Sequence, residues 1–261
     1  MLYYKLQNDD KNCLCFSTTR ENGVSEGNYA SFNLSPYSGD DLKNWEINRD
    51  NLCEELKINS CQLIFPYQTH GTDIRIINEA FMKMSDAEKE KHLNSVDALI
   101  TNQRDICIGV TTADCVPLIF FDSINEIAAV AHAGWRGTCA RIAEKTIARM
   151  QDEFNCQAQN IEVIIGPSIS ASVYEVGSEV LEAFTKSGFD SDKIAIKSGN
   201  SFFLDLWKAN RIQLENAGIL NKNIQLADIC TFTEHERFFS ARRLGIKSGR
   251  ILSGIIMKNV K

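Results

Sequence analysis

The sequence predicts an α+β (mixed α/β) domain, with a mixed sheet or two packed sheets and helices outside. Three observations predict it. Runs rich in Val, Ile and Phe alternate irregularly with segments of helical period. Apolar residues make up 44% of the chain and charged residues 24%, the balance of a folded domain. No repeat, linker or low-complexity tract divides the 261 residues, so a single domain over 1–261 is expected.

The elements follow in order. Cys13 to Thr18 reads as a strand. Leu42 to Leu56 reads as a helix, because Leu42, Trp45, Ile47, Leu52 and Leu56 recur near helical spacing. Short strands are expected over Leu63 to Tyr67, Asp73 to Ile77, Ala98 to Thr101 and Ile106 to Val110. Val116 to Asp122 and Glu126 to Ala131 flank the turn-prone Ser123 and Asn125, which predicts a hairpin. Thr138 to Phe154 reads as one helix, with Ile142, Ile147 and Met150 near one face, and Ile161 to Ile165 as a strand. Helices over Ser178 to Lys186 and Leu204 to Ala217 are each stopped by a glycine, Gly188 or Gly218, suited to a left-handed cap.

Composition excludes several function classes. The formal charge is −6, from 28 Lys+Arg against 34 Asp+Glu, and no basic block suggests a nucleic-acid groove. No run approaches the ~18 apolar residues of a membrane helix. The start, Met1 to Asp9, meets charge and amide too early for a signal peptide, so a cytoplasmic location is expected. Nine cysteines without a CxxC pair read as mostly reduced, buried small hydrophobes. Histidines are only four: His70, His92, His132 and His235.

Three segments are unusual for a core: Pro66–Gly71, Thr111–Pro117 and Ala131–Gly137. Each sets a soft or basic side chain where a strand meets a loop. If the hairpin pairs Pro117 with His132, Cys115 faces Gly134. Cys115 and His132 are then diagonal neighbours on one face, roughly 7–8 Å apart at the backbone. A one-residue slip would separate them. With His70 they form a Cys-His-His set, the ligand type of a catalytic zinc that keeps one position open. Such a site lowers the pKa of bound water to about 7. Two other readings stay open: Cys115 as a nucleophile with His132 as base and Asp114 as third group, or a buried thiol beside two hydrogen-bonded histidines. Arg136, beside a helix start near Thr138, is a candidate anion contact. Phe238-Phe239-Ser240-Ala241-Arg242-Arg243 is another, with aromatics to stack on a planar ring.

Thr112-Ala113-Asp114-Cys115-Val116-Pro117 followed by Ala131-His132-Ala133-Gly134-Trp135-Arg136-Gly137 resembles the YfiH family, also called laccase-domain proteins, polyphenol oxidases and purine nucleoside phosphorylases. Asn33-Leu34, Asn48-Arg49, Gln68-Thr69-His70-Gly71, Gly166-Pro167, Tyr174-Glu175-Val176-Gly177 and Cys230-Thr231 fit its pattern in order over nearly the whole chain. The resemblance implies a sandwich of mixed sheets flanked by helices. It implies one zinc per chain on His70, Cys115 and His132, with copper as a possible substitute. It also implies a pocket for purine nucleosides and phosphate, with Asn33, Arg49 and Arg243 holding substrate or phosphate; Arg136 and Phe239, read above as anion and ring contacts, are expected to join them as substrate contacts. Three positions depart from the pattern: Ser168 where Cys is frequent, Ala241 where Tyr is frequent, and Asn22 where a second glycine is usual.

The expected activity is a zinc-dependent purine nucleoside enzyme. It would phosphorolyse adenosine, inosine, guanosine and S-methyl-5′-thioadenosine, and deaminate adenosine with Asp114 moving the proton. The alternatives are a copper polyphenol oxidase, for which four histidines are too few to build a multicopper cluster, and a Cys/His or zinc amide hydrolase acting on a peptidoglycan precursor. The expected partners are small molecules only, and the expected state is a monomer or homodimer.

Overall fold

The computed structural model describes residues 3–5, 12–199 and 201–258. The stretch Met1 to Asp9 lies outside these residues except for 3–5.

Side-chain alternation builds two large sheets, because successive residues of a strand face opposite sides. One sheet has the order Tyr3–Lys5, Cys13–Thr18, Ile251–Met257, Cys107–Thr112, Leu63–Ile64. The other has the order Ile224–Leu226, Ile161–Ile165, Val116–Asp122, Ile127–Ala133, Ala98–Thr101, Ile74–Ile77. Most pairs are antiparallel. Leu63–Ile64 on Cys107–Thr112, Ile224–Leu226 on Ile161–Ile165, and Ile74–Ile77 on Ala98–Thr101 are parallel. A small third sheet joins Glu175–Val176, Ser201–Leu204 and Ala195–Ser198.

The large sheets pack face to face. Cys13, Cys15, Ile108, Val110, Ile255 and Met257 of the first meet Leu99, Ile119, Phe121, Val130 and Ile164 of the second. The alternate residues face outward. Leu14, Phe16, Leu252 and Ile256 lie under helix Leu42–Leu56 through Leu52, Cys53 and Leu56. Val116, Leu118, Phe120, Ala129, Ala131 and Val163 lie under helices Ile142–Phe154 and Leu206–Asn216. The result is a four-layer α-β-β-α stack, the expected sandwich of mixed sheets flanked by helices.

Helix Leu42–Leu56 has the expected bounds, and the Asp41 side chain caps it by accepting from the Lys43 amide at 2.9 Å. Gly188 and Gly218 take φ of +81° and +91° just beyond their helices.

The expected strand Leu63 to Tyr67 is confined to Leu63–Ile64, and two larger features differ from the sequence reading. The single helix over Thr138 to Phe154 is two helices, Trp135–Cys139 and Ile142–Phe154. Arg141 breaks them at φ +65°, with its guanidinium 3.8 Å over the Phe189 ring and donating to the Ser187 carbonyl. Buried Thr138 is pinned by Asn210 and Gln213, so long-range bonds outweigh local helical preference. The second correction is the unforeseen strand Ile251–Met257, which lies at the centre of the first sheet. Among the described residues, no helix is long and apolar enough to cross a membrane.

Candidate metal centre and its cavity

The hairpin register matches the expectation: Pro117 pairs with His132 and Val116 with Ala133. The turn is fixed by Asp122, whose carboxylate accepts from the Ile124 and Asn125 amides and the Asn125 side chain. Cys115 and His132 therefore fall on the face toward the sheet interior, at its open end. His70 arrives on the loop Tyr67–Gly71, in the left-handed region at φ +62°. The ligand atoms of His70, Cys115 and His132 all lie within 4.8 Å of one another. The imidazole rings meet edge-on, with centroids 4.7 Å apart.

Asp97 organises this set and was not foreseen. It is fully buried, and His132 Nδ1 donates to its Oδ1 at 2.8 Å. The amides of Thr69, His70 and Gly71 donate to the same carboxylate at 3.2, 3.0 and 2.7 Å. One side chain thus orients one imidazole and shapes the loop that carries the other. Gln68 ties that loop to the first sheet through three bonds with Thr111. Burial opposes ionisation of Asp97, but the His132 bond and charge and the amide donors hold its pKa below the usual range.

The residues fit a metal. With Nδ1 engaged, His132 presents Nε2, the arrangement in which an outer carboxylate fixes a ligand's tautomer. A Cβ on Gly134 would sit 2.9 Å from Cys115 Sγ and 3.0 Å from His70 Cδ2, so glycine leaves these two ligands room. Burial pushes the Cys115 thiol up, but the charges and hydrogen bonds of His132 and His70 outweigh it and bring it down to about 6. Burial pushes His132 down, yet Cys115 and Asp97 raise it to about 9. The thiolate that a metal requires is therefore already favoured near neutrality.

The cluster opens into a cavity of about 440 Å³, within the usual range for small-molecule sites. Tyr37 and Tyr67 stand on its wall, with rings 4.7 Å apart and edge-on. Arg136 and Arg250 also line it, as does Ala241.

The other expected contacts fall elsewhere. Asp114 follows at φ +82°, and its carboxylate accepts from Thr231 Oγ1, Ser240 Oγ and the Arg242 amide. Both oxygens are engaged, and the side chain fixes the Cys115 loop. Asn33 is fully buried; it donates to Ser35 and Asp40 and accepts from the Arg250 amide. Arg49 stacks on Trp45 and pairs with Asp50. Phe239 is fully buried, with the Arg20 guanidinium over its ring. Arg243 donates to the Phe232 carbonyl and covers the Phe232 ring. None of these five lines the cavity. Arg136 does, although the helix beside it starts at Trp135 and has only five residues.

Comparisons agree with this architecture. A family described as multi-copper polyphenol oxidoreductase laccase matches residues 14–258. A purine nucleoside phosphorylase of Bacteroides thetaiotaomicron is 45% identical over 98% of this chain and 96% of its own length. Adenosine deaminase RL5, from an unknown prokaryotic organism, is 41% identical over 93% of both chains. The crystal structure of YlmD from Geobacillus stearothermophilus is similar with a TM-score of 0.89 and 29% identity, over 98% of this chain and 99% of that one. With its fold, its His-Cys-His cluster and its matching length all in agreement, the chain belongs to the laccase-domain (YfiH) family.

Proposed function

We propose that the protein is a zinc-dependent purine nucleoside enzyme that cleaves nucleosides with phosphate and deaminates adenosine. The observation that carries this reading is the opening of the His70–Cys115–His132 cluster into a cavity of nucleoside size. The relatives named for these two activities support it. Adenosine, inosine, guanosine and S-methyl-5′-thioadenosine are the proposed substrates. His70, Cys115 and His132 would hold a zinc ion, which would supply Lewis acidity when bound.

The chain's own residues do the rest. Asp97 keeps the His132 proton on Nδ1 and presets the His70 loop. The Tyr37–Tyr67 pair offers ring faces and edges to a planar base. In phosphorolysis a phosphate oxygen bonds to C1′ as the C1′–N9 bond breaks. The purine leaves with the electron pair and gains a proton. In deamination, oxygen from water replaces the C6 amino group and ammonia departs.

The low pKa of Cys115 beside His132 also suits a thiol hydrolase. Metal removal separates the two readings. Chelated protein should lose both nucleoside activities and regain them on addition of zinc. Chelated protein that retains full nucleoside turnover contradicts the proposal. Chelated protein that cleaves an amide and is stopped by a thiol alkylator establishes the second reading. Activity that follows copper content would favour an oxidase.

A further inference from the structure

Arg250 lines the cavity, and its guanidinium has no carboxylate partner among the described residues. Its Nη1 donates to the Ser248 and Gly249 carbonyls and to Ser248 Oγ, and its Nη2 to the Ile246 carbonyl. These contacts leave Nε–H and one Nη2–H of its five donors without a partner among the described residues. The backbone beneath is equally fixed. The Arg250 amide donates to Asn33 Oδ1, and its carbonyl accepts from the Leu34 amide. Asp114 is near enough to act on Arg250 electrostatically, but its oxygens are already engaged by Thr231, Ser240 and Arg242.

Two further groups face the same cavity. Arg136 lines it with its guanidinium 4.2 Å over the Trp135 ring and no ion pair among the described residues. Thr112 also lines it, and its hydroxyl is buried with no hydrogen-bond partner among the described residues. Thr112 pairs with Ile251, the residue after Arg250, so the fold brings that hydroxyl and that guanidinium to one end of the first sheet. Among the described residues no Asp or Glu lines this cavity, in a chain whose net charge is −6.

We propose that Arg250, Arg136 and the Thr112 hydroxyl form the seat of inorganic phosphate beside the His70–Cys115–His132 cluster. The guanidinium forks match oxyanion geometry, and the spare hydroxyl supplies a further donor. This rests on the phosphorolysis reading above, and the test separates the two. Phosphate is titrated calorimetrically into the zinc-loaded enzyme, and the KM for phosphate and for nucleoside are measured for the wild type, Arg250→Lys, Arg136→Gln and Thr112→Val.

The lysine keeps the charge and loses the fork, so the KM for phosphate should rise about tenfold while that for nucleoside moves less than about twofold. The ratio of deamination to phosphorolysis should rise with it. Arg136→Gln, at an exposed side chain, and Thr112→Val, nearly isosteric, should each raise the KM for phosphate about threefold or more. Wild-type phosphate KM in all three variants overturns the seat. So does a wild type that deaminates adenosine yet binds no phosphate, which leaves the nucleoside reading standing. Binding of adenosine monophosphate but not of inorganic phosphate would give the seat to a nucleotide's phosphoryl group and overturn the proposed occupant. Absence of both phosphate binding and nucleoside turnover overturns the nucleoside reading itself.

Discussion

Asp97 holds two of the three candidate ligands, one by a side-chain bond and the other through the amides of its loop. Removing its charge should loosen both. Asp97→Asn is expected to weaken zinc affinity by about 10–100-fold, read by competition with a chromophoric chelator. Affinity equal to wild type would contradict this positioning role. Cys115 carries a second prediction. Its folded pKa is depressed, so its thiolate stabilises the metal-free fold above the ordinary thiol pKa, and that contribution is lost as pH falls through about 6. The pKa of His132 is raised, so its imidazolium contributes below the ordinary imidazole pKa and loses that contribution as pH rises through about 9. Alkylation of Cys115 in chelated protein should therefore be half-maximal near pH 6, not near the ordinary thiol value of about 8.5. A midpoint above 8 would remove the thiolate–imidazolium pair from the account. At this scale the ligand set was legible because Cys115 and His132 occupy one predicted hairpin. Asp97 was not, since its partners Thr69, His70 and Gly71 reach it only in the folded chain. Arg49, Phe239 and Arg243 bear the right chemistry at the right motif positions, yet neighbouring Trp45, Arg20 and Phe232 engage them outside the cavity.

At the scale of elements, the hairpin Val116–Asp122 with Ile127–Ala133 was readable to the residue because its turn carries its own signal in Asp122 and Asn125. The helix break at Arg141 was not readable, because Thr138 answers to Asn210 and Gln213 far along the chain. Strand Ile251–Met257 escaped for a different reason. It is buried along its whole length, so it lacks the alternation that marks a half-exposed strand, and Gly254 interrupts its apolar run. Its central place gives it a large share of the packing between the sheets. Ile255→Ala should cost about 2–5 kcal/mol in urea denaturation, whereas Ile124→Ala at the exposed hairpin tip should stay within about 0.5 kcal/mol. Equal effects from the two would deny that the inner layer carries the fold.

The whole molecule gathers its chemistry at one end of the sandwich. The first sheet contributes Thr111 and Thr112 at the end of one strand with Arg250 just before its paired strand, and the second contributes His132 with Cys115 just before strand Val116–Asp122. The helices cover the outer faces and leave this end open. Surface ion pairs such as Lys83–Glu79 and Lys186–Glu182 contribute little to holding it together, each about 0–1 kcal/mol before salt screening. The buried clusters between and outside the sheets carry the stability. The inventory of ligands also limits the chemistry. His92 packs against Phe81 and His235 joins no ligand cluster, so the described residues offer one three-ligand centre and no set for a multicopper assembly. The most direct test is elemental analysis of protein purified without added metal, with adenosine and phosphate assayed on the same sample and on Cys115→Ala. The account predicts about one zinc per wild-type chain with free adenine or inosine formed, and neither metal nor turnover in the variant. A metal-free wild type that turns over nucleosides, or a Cys115→Ala protein that keeps its zinc and activity, would contradict it.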